Sequence, residues 1–342
     1  MPLLAAIPLP AGSLQHGRAI AATQLRLSNW RDIDAFAWVA ADGQTESEQD
    51  ERSSMPTSPT ARRRRLGHEL RRLREGARLR ADEVAEQLQW SATKISRIET
   101  GQVSVHHGDV ADLLVLYGVN DPALKAELTD MARQSRQKGW WHRHRDGFKR
   151  GFDSYIGLEA EASRIRTYQG QVIPGLLQTE TYARVAISAT AMEQASGTDI
   201  DGKVAVRMSR QELITRTPPL RLHVILDEAV LRRPVGGAAI MAEQRQSLVS
   251  RGERDNVTLQ VLPFAAGAHA ALDGAFSMLE FPHAKDPDVV YLEQATSGLI
   301  LEDAAELKRY AEIFEHLIRL ALDPDESITF IKSLAQSKGS AR

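Results

Sequence analysis

Thr93, Lys94, Ser96 and Arg97 put four hydrogen-bonding side chains into five residues, interrupted by Ile95 and followed by Ile98. At helical spacing the two isoleucines point inward, and Ala92, Thr93, Lys94, Ser96 and Arg97 point outward. The chemistry this arrangement offers is recognition rather than bond-making. Arginine and lysine can read the acceptors of guanine, hydroxyls can read either base pair, and alanine and threonine methyls can pack against thymine. A second set lies far along the chain: Asp227, Glu228, Arg232, His269 and Asp273. The two acids follow an alternating apolar run, where ligands often bind at a strand end. Adjacent acids equally serve as the negative first turn of a helix. His269 and Asp273 belong to a loop of small residues, Ala265 to Gly274, that could fold over a ligand or partner. No phosphate-cradling glycine loop, nucleophile elbow or metal-binding helix motif is present. Zero cysteines exclude disulfides, thiolate metal sites and cysteine nucleophiles. His106, His107, His142 and His144 have no third ligand at metal spacing. No catalytic group, metal or cofactor is expected.

The elements that must hold the first set can be read nearby. Val84, Ala85 and Leu88 fall on one helical face, and the small Ala85 lets a second helix cross closely. Ser91 is suited to cap that second helix, and Gly101 follows where a helix end tolerates a left-handed residue. Two short helices with a tight turn between them make a helix-turn-helix, whose second helix presents its N-terminal residues to the major groove. Upstream, Leu66, Leu70 and Leu73 mark an entry helix. Residues 62–80 hold nine arginines and two acids. Arg63, Arg64, Arg71 and Arg74 are therefore expected at the phosphate backbone, with Ser91 and Ser96 beside it. A solvated arginine-rich helix end is the plainer alternative. The chain as a whole is nearly neutral, with 43 Lys and Arg against 45 Asp and Glu. Residues 55–158 alone carry 19 against 13, a net of +6.

Residues 62–137 resemble the λ-repressor-type, or XRE-type, helix-turn-helix domain of bacterial regulators. The entry helix, the helix-turn-helix, a helix with Val110, Leu113, Leu114 and Tyr117, and one from Asp121-Pro122 with Leu124, Leu128 and Met131 match its five-helix order. Ser91–Gly101 is especially similar to the actinobacterial members. Two positions depart from the pattern. The turn glycine is replaced by Gln89, at a cost of about 1–2 kcal/mol for a left-handed side chain. Arg80 stands where a capping Ser or Thr is usual. Four later segments, Arg164–Thr179, Leu226–Arg232, Val257–Phe264 and Ser297–Leu299, resemble the uncharacterised C-terminal domain that follows this module in many actinobacterial regulators. The resemblance implies a transcription factor, in a family often encoded beside a small partner protein and sometimes described as antitoxin-like. It implies no known ligand.

The expected fold class is α+β multidomain: an all-α five-helix λ-repressor-like DNA-binding domain (62–138), a linker (139–158), a mixed α+β effector or partner domain (159–336) and a tail (337–342). Strands are expected over 220–226, 258–262, 276–281 and 289–293. Helices are expected from Tyr155 through Arg166, at 198–216, at 238–250 and over 303–321 and 325–336. Thr179 is placed to cap a helix holding Tyr182 and Val185. Residues 1–61 are expected to be disordered or a spurious extension, with Met55 the natural start; a regulatory extension around Leu25, Trp30, Phe36 and Trp38 is the alternative. Trp140 and Trp141 are expected to anchor one domain on the other rather than stack on nucleic acid. No apolar run approaches the ~20 residues of a membrane span, and the N-terminus lacks a basic leader. A cytoplasmic homodimer on a double-stranded DNA operator is expected, with two functions open: a regulator sensing a ligand or protein, or an antitoxin-like protein that sequesters a small partner encoded by the adjacent gene.

Overall fold

The computed structural model describes residues 59–136, 148–191, 197–282 and 286–336. The expectations for residues 1–58, including Met55, and for Trp140, Trp141, His142 and His144 lie outside them.

Among the described residues five helices come first: α1 (Pro59–Gly76), α2 (Ala81–Gln87), α3 (Ala92–Glu99), α4 (His107–Leu116) and α5 (Pro122–Ser135). Leu66 and Leu70 of α1, Val84 and Ala85 of α2, Ile95 and Ile98 of α3, Leu113 and Leu114 of α4 and Leu128 of α5 form one buried core. The turn between α2 and α3 takes the strained path that its sequence demands. Gln89 is left-handed at φ 56°, and Trp90 N–H closes back on the Ala85 carbonyl at 2.7 Å. Ser91 Oγ accepts from Lys94 N–H at 3.1 Å and starts α3. Gly101, at φ 66°, ends it. Arg80 lacks a capping oxygen, but Glu83 Oε2 accepts from its backbone N–H at 2.7 Å, half of a capping box. The crossing of α1 over the end of α3 depends on Gly67. A Cβ there would lie 2.5 Å from the carbonyl oxygens of both Ile98 and Glu99.

The second half is built on one six-stranded sheet in the order β3-β2-β1-β4-β5-β6. The strands are β1 (Arg164–Gln169), β2 (Arg221–Asp227), β3 (Val257–Leu262), β4 (Phe276–Glu280), β5 (Val289–Glu293) and β6 (Gly298–Leu301). β3, β2 and β1 run parallel, and β4, β5 and β6 continue antiparallel. The helices are α6 (Phe152–Glu161), α7 (Glu180–Ala191), α8 (Gly197–Arg210), α9 (Glu228–Arg232), α10 (Ala238–Gly252), α11 (Ala304–Leu320) and α12 (Pro324–Gln336). Residues of α6, α7, α10 and α12 share a core with Ile165, Leu222, Val224, Leu259 and Leu279 on one sheet face. On the other face Ala311, Phe314 and Leu317 of α11 pack against Tyr168, Ile225, Phe276 and Val290. Leu222, Val224 and Leu226 of β2 enter the first core and Ile225 the second, so the run that alternates in the sequence is buried on both faces instead of one. Thr179 Oγ accepts from Tyr182 N–H at 3.3 Å, as its position at the head of α7 implies.

Three expectations are corrected. Residues 164–169 are a central strand rather than the end of a helix. Ile156, Glu159, Ala162, Ser163 and Arg166 fit a helical period by coincidence, but α6 stops at Glu161 and β1 fills the slot between β2 and β4. β6 is an additional strand, because four residues including a glycine give too little pattern to reveal it. The helix α6 also begins inside the segment expected to be linker.

The basic helix α1 rests on the second half, and this overturns the assignment of Arg64 to phosphate. Arg64 is buried; its Nε donates to Glu302 Oε1 at 2.7 Å and its Nη2 to the Pro287 and Asp288 carbonyls. Arg65 grips both oxygens of Asp286, with Nε to Oδ1 at 3.0 Å. His68 Nε2 lies 3.4 Å from Glu302 Oε2.

Candidate nucleic-acid interface

Helix α3 is fixed by Ile95 and Ile98, both fully buried, so its opposite face is presented without slack. Ser91, Ala92, Thr93, Ser96 and Arg97 are exposed on it. Among the described residues the Arg97 guanidinium has no hydrogen-bond or ion-pair partner. Lys94 differs. Its Nζ is 3.0 Å from Asp109 Oδ2 on α4 and 3.3 Å from the centroid of the Trp90 ring. The lysine is thus held beside the exposed face of α3 instead of reaching freely from it.

The arginines of α1 sort by burial. Arg74 is an internal strut, not a phosphate contact: it makes two hydrogen bonds to Glu99 at 2.6 and 2.9 Å and a third to the Leu79 carbonyl at 2.8 Å. Glu99 is itself buried. This pair ties the end of α1 to the end of the recognition helix, and the sequence signal for it is an acid in an otherwise basic and apolar segment. Arg63 Nη2 donates to Thr60 Oγ1 at 3.1 Å. Arg71 is exposed and pairs with Glu75 one turn on at 2.8 Å. Such an exposed pair contributes little and exchanges readily for a phosphate. Arg78, exposed and left-handed at φ 58° in the turn before α2, joins this outer group.

The second set of residues is partly brought together at the carboxyl ends of the parallel strands. Asp227 caps α9, Oδ1 accepting from Ala229 N–H at 2.8 Å. Glu228 is buried, accepts from Arg232 Nε, and takes Phe264 N–H at 2.8 Å, pinning the loop after β3. The helix-start role therefore accounts for both acids. The other Asp227 oxygen faces β1. Tyr168, not among the site residues expected from the sequence, places its hydroxyl 3.5 Å from Asp227 Oδ2 and 3.5 Å from His269 Nε2. Ala271 N–H lies 3.3 Å from His269 Nδ1, so in the neutral ring Nε2 carries the proton and faces the tyrosine. Burial and then the Asp227 charge raise the Tyr168 pKa, which keeps the phenol protonated and donating to the carboxylate. Asp273 is exposed further along the same loop. Among the described residues no group of three His, Asp or Glu is placed to hold a metal ion, and no helix is long and apolar enough to cross a membrane.

Residues 65–128 match a helix-turn-helix domain, and residues 152–333 match a domain of unknown function (DUF5753). No curated protein and no solved structure matches the chain.

Proposed function

Because the chain belongs to the DUF5753 family, with a helix-turn-helix domain ahead of the family's defining domain, we propose that it is a sequence-specific DNA-binding transcriptional regulator whose C-terminal domain receives the controlling signal. One observation carries the reading: the exposed face of α3, where Arg97 stands uncommitted among Ala92, Thr93 and Ser96 over a fully buried isoleucine pair. A helix so presented matches the geometry by which such domains enter the major groove. Single units of this kind bind weakly, so two copies are expected on half-sites about 34–36 Å apart.

The test is selection of duplexes from a random pool by the full chain, followed by titration of the best sequence. Arg97→Ala should cost about 1–3 kcal/mol on that duplex and relax preference at one position. Arg71→Ala should instead weaken all duplexes alike and flatten the salt dependence. Absence of any selected sequence, or an unchanged affinity for Arg97→Ala, rejects the assignment. Sedimentation showing one copy per operator rejects the dimer. The antitoxin-like alternative differs in one measurable respect: its protein partner would bind with no dependence on DNA.

A further inference from the structure

Three of the large hydrophobic side chains exposed in the described residues lie in loops on one edge of the sheet. Val172 follows β1, while Phe264 and Leu272 belong to the connection between β3 and β4. This is the edge formed by the carboxyl ends of β1, β2 and β3, opposite the edge at which α1 is docked. Phe264 is 57% and Leu272 69% exposed. The loop that carries them is firmly held. Glu228 anchors Phe264 N–H, Ala271 is buried beneath, and His269 leans edge-on against Tyr168 at 5.5 Å. Apolar side chains held rigidly into solvent mark a contact surface.

The charged groups that act on the tyrosine hydroxyls beneath this loop are acidic. Tyr168, Phe276 and Tyr310 form an aromatic row under the loop, with ring centroids 6.3 and 5.0 Å apart. Asp227 lies beside the Tyr168 hydroxyl, and the carboxylates of Glu306 and Asp273 both act on the Tyr310 hydroxyl. Arg232, the nearest cation on α9, is neutralised by Glu228. An apolar patch with an acidic rim is complementary to an apolar stripe with a basic rim.

We propose that this edge is the docking surface for a basic amphipathic helix of a partner protein, its apolar stripe lying over Phe264 and Leu272 and its lysines and arginines over Asp227, Asp273 and Glu306. The proposal rests on the reading of the C-terminal domain as the receiving half of the regulator, and it names what is received. Recognition by anchors at helical spacing is a recurrent mode.

The probe is a fluorescein-labelled amphipathic peptide of leucine and lysine, titrated with the full chain at physiological salt, beside a leucine–glutamate peptide of the same pattern. The lysine peptide should bind at least about tenfold tighter than the glutamate peptide. Phe264→Ser with Leu272→Ser should weaken it by about tenfold or more, and Asp273→Lys should weaken it as well. Val115→Ser, which alters an exposed apolar side chain on α4, should change nothing. No binding of the lysine peptide, equal binding of the two peptides, or binding indifferent to the loop substitutions overturns the proposal. Operator affinity measured on the same preparations separates the two readings. Operator binding without peptide binding removes the docking surface and leaves the regulator; peptide binding without operator binding does the reverse.

Discussion

Arg74 and Arg97 have the same side chain in the same small domain, and their surroundings give them unrelated work. Arg74 is buried with Glu99, so removing one partner leaves the other charge desolvated and alone. Arg74→Ala is expected to destabilise the helix-turn-helix by about 3–5 kcal/mol, read as a fall in melting temperature, and Arg74→Lys should not restore it because a lysine cannot reproduce the two-pronged contact. Arg97→Ala should leave the melting temperature where it was and alter only DNA binding. Lys94→Ala belongs between these limits. It releases Asp109 and uncovers Trp90, so part of any affinity loss would come from a repositioned α3. The outward face of α3 is legible in the sequence, since Ile95 and Ile98 set the helical phase. The arginines cannot be sorted that way. Arg64, Arg71 and Arg74 follow one another at helical spacing, and only the position of Glu99 and Glu302 in space decides which are spent inside the protein.

At the scale of elements, the crossing of α1 over α3 is limited by backbone, not by side chains. A methyl at Gly67 would press on the carbonyl oxygens of Ile98 and Glu99, neither of which can rotate away. Gly67→Ala should therefore force the two helices apart, at about 1–3 kcal/mol, seen in denaturant midpoints together with weaker operator binding. His223 offers a pH-dependent counterpart in the sheet. Its Nε2 faces Gln260 Oε1 at 2.8 Å on the neighbouring strand, and burial holds its pKa below the usual value despite that bond. The folded protein then takes up fewer protons than the unfolded chain, whose histidine titrates near about 6.5. Stability from this group is full above that pH and falls as the solution is acidified through it. His223→Gln should flatten the stability profile below about pH 6.5 relative to the parent. Long elements with full apolar patterns, such as β2, β3, β5, α10 and α11, are legible from their residues alone. β1 is not, because a strand paired on both sides and buried on both faces need not alternate, and Arg164-Ile165-Arg166-Thr167-Tyr168 satisfies a helical count as well as an extended one. The Tyr168–Asp227–His269 grouping is only half legible for the same reason: its central member sits on that ambiguous strand.

The described residues from α1 onward are organised around the two ends of the strands of one sheet. Recognition of DNA is attached to one edge through α1, and the exposed apolar loop occupies the other, a strand length of roughly 17–20 Å away. Helix α11 joins them: Glu302 and Asp303 precede it, and Tyr310 in its middle touches Phe276 beneath the loop. The attachment itself is ionic. Burial alone would raise the Glu302 pKa, but the His68 hydrogen bond and the Arg64 charge outweigh it and hold the carboxyl below its usual range. Its contribution is therefore present above the unfolded carboxylate value of about 4.3 and is lost as pH falls through the lower folded value. The Arg65–Asp286 pair is more exposed on its arginine side and adds less. Neutralising the acids by Glu302→Gln with Asp286→Asn removes both pairs at any pH. The expected result is a separation of thermal unfolding into two transitions near neutral pH, where the parent chain shows one. The same separation should appear in the parent only on acidification below about pH 4. A variant that still melts in one step, with its operator affinity and salt dependence unchanged, would mean that the packing of α1 on α6 suffices to hold the halves together.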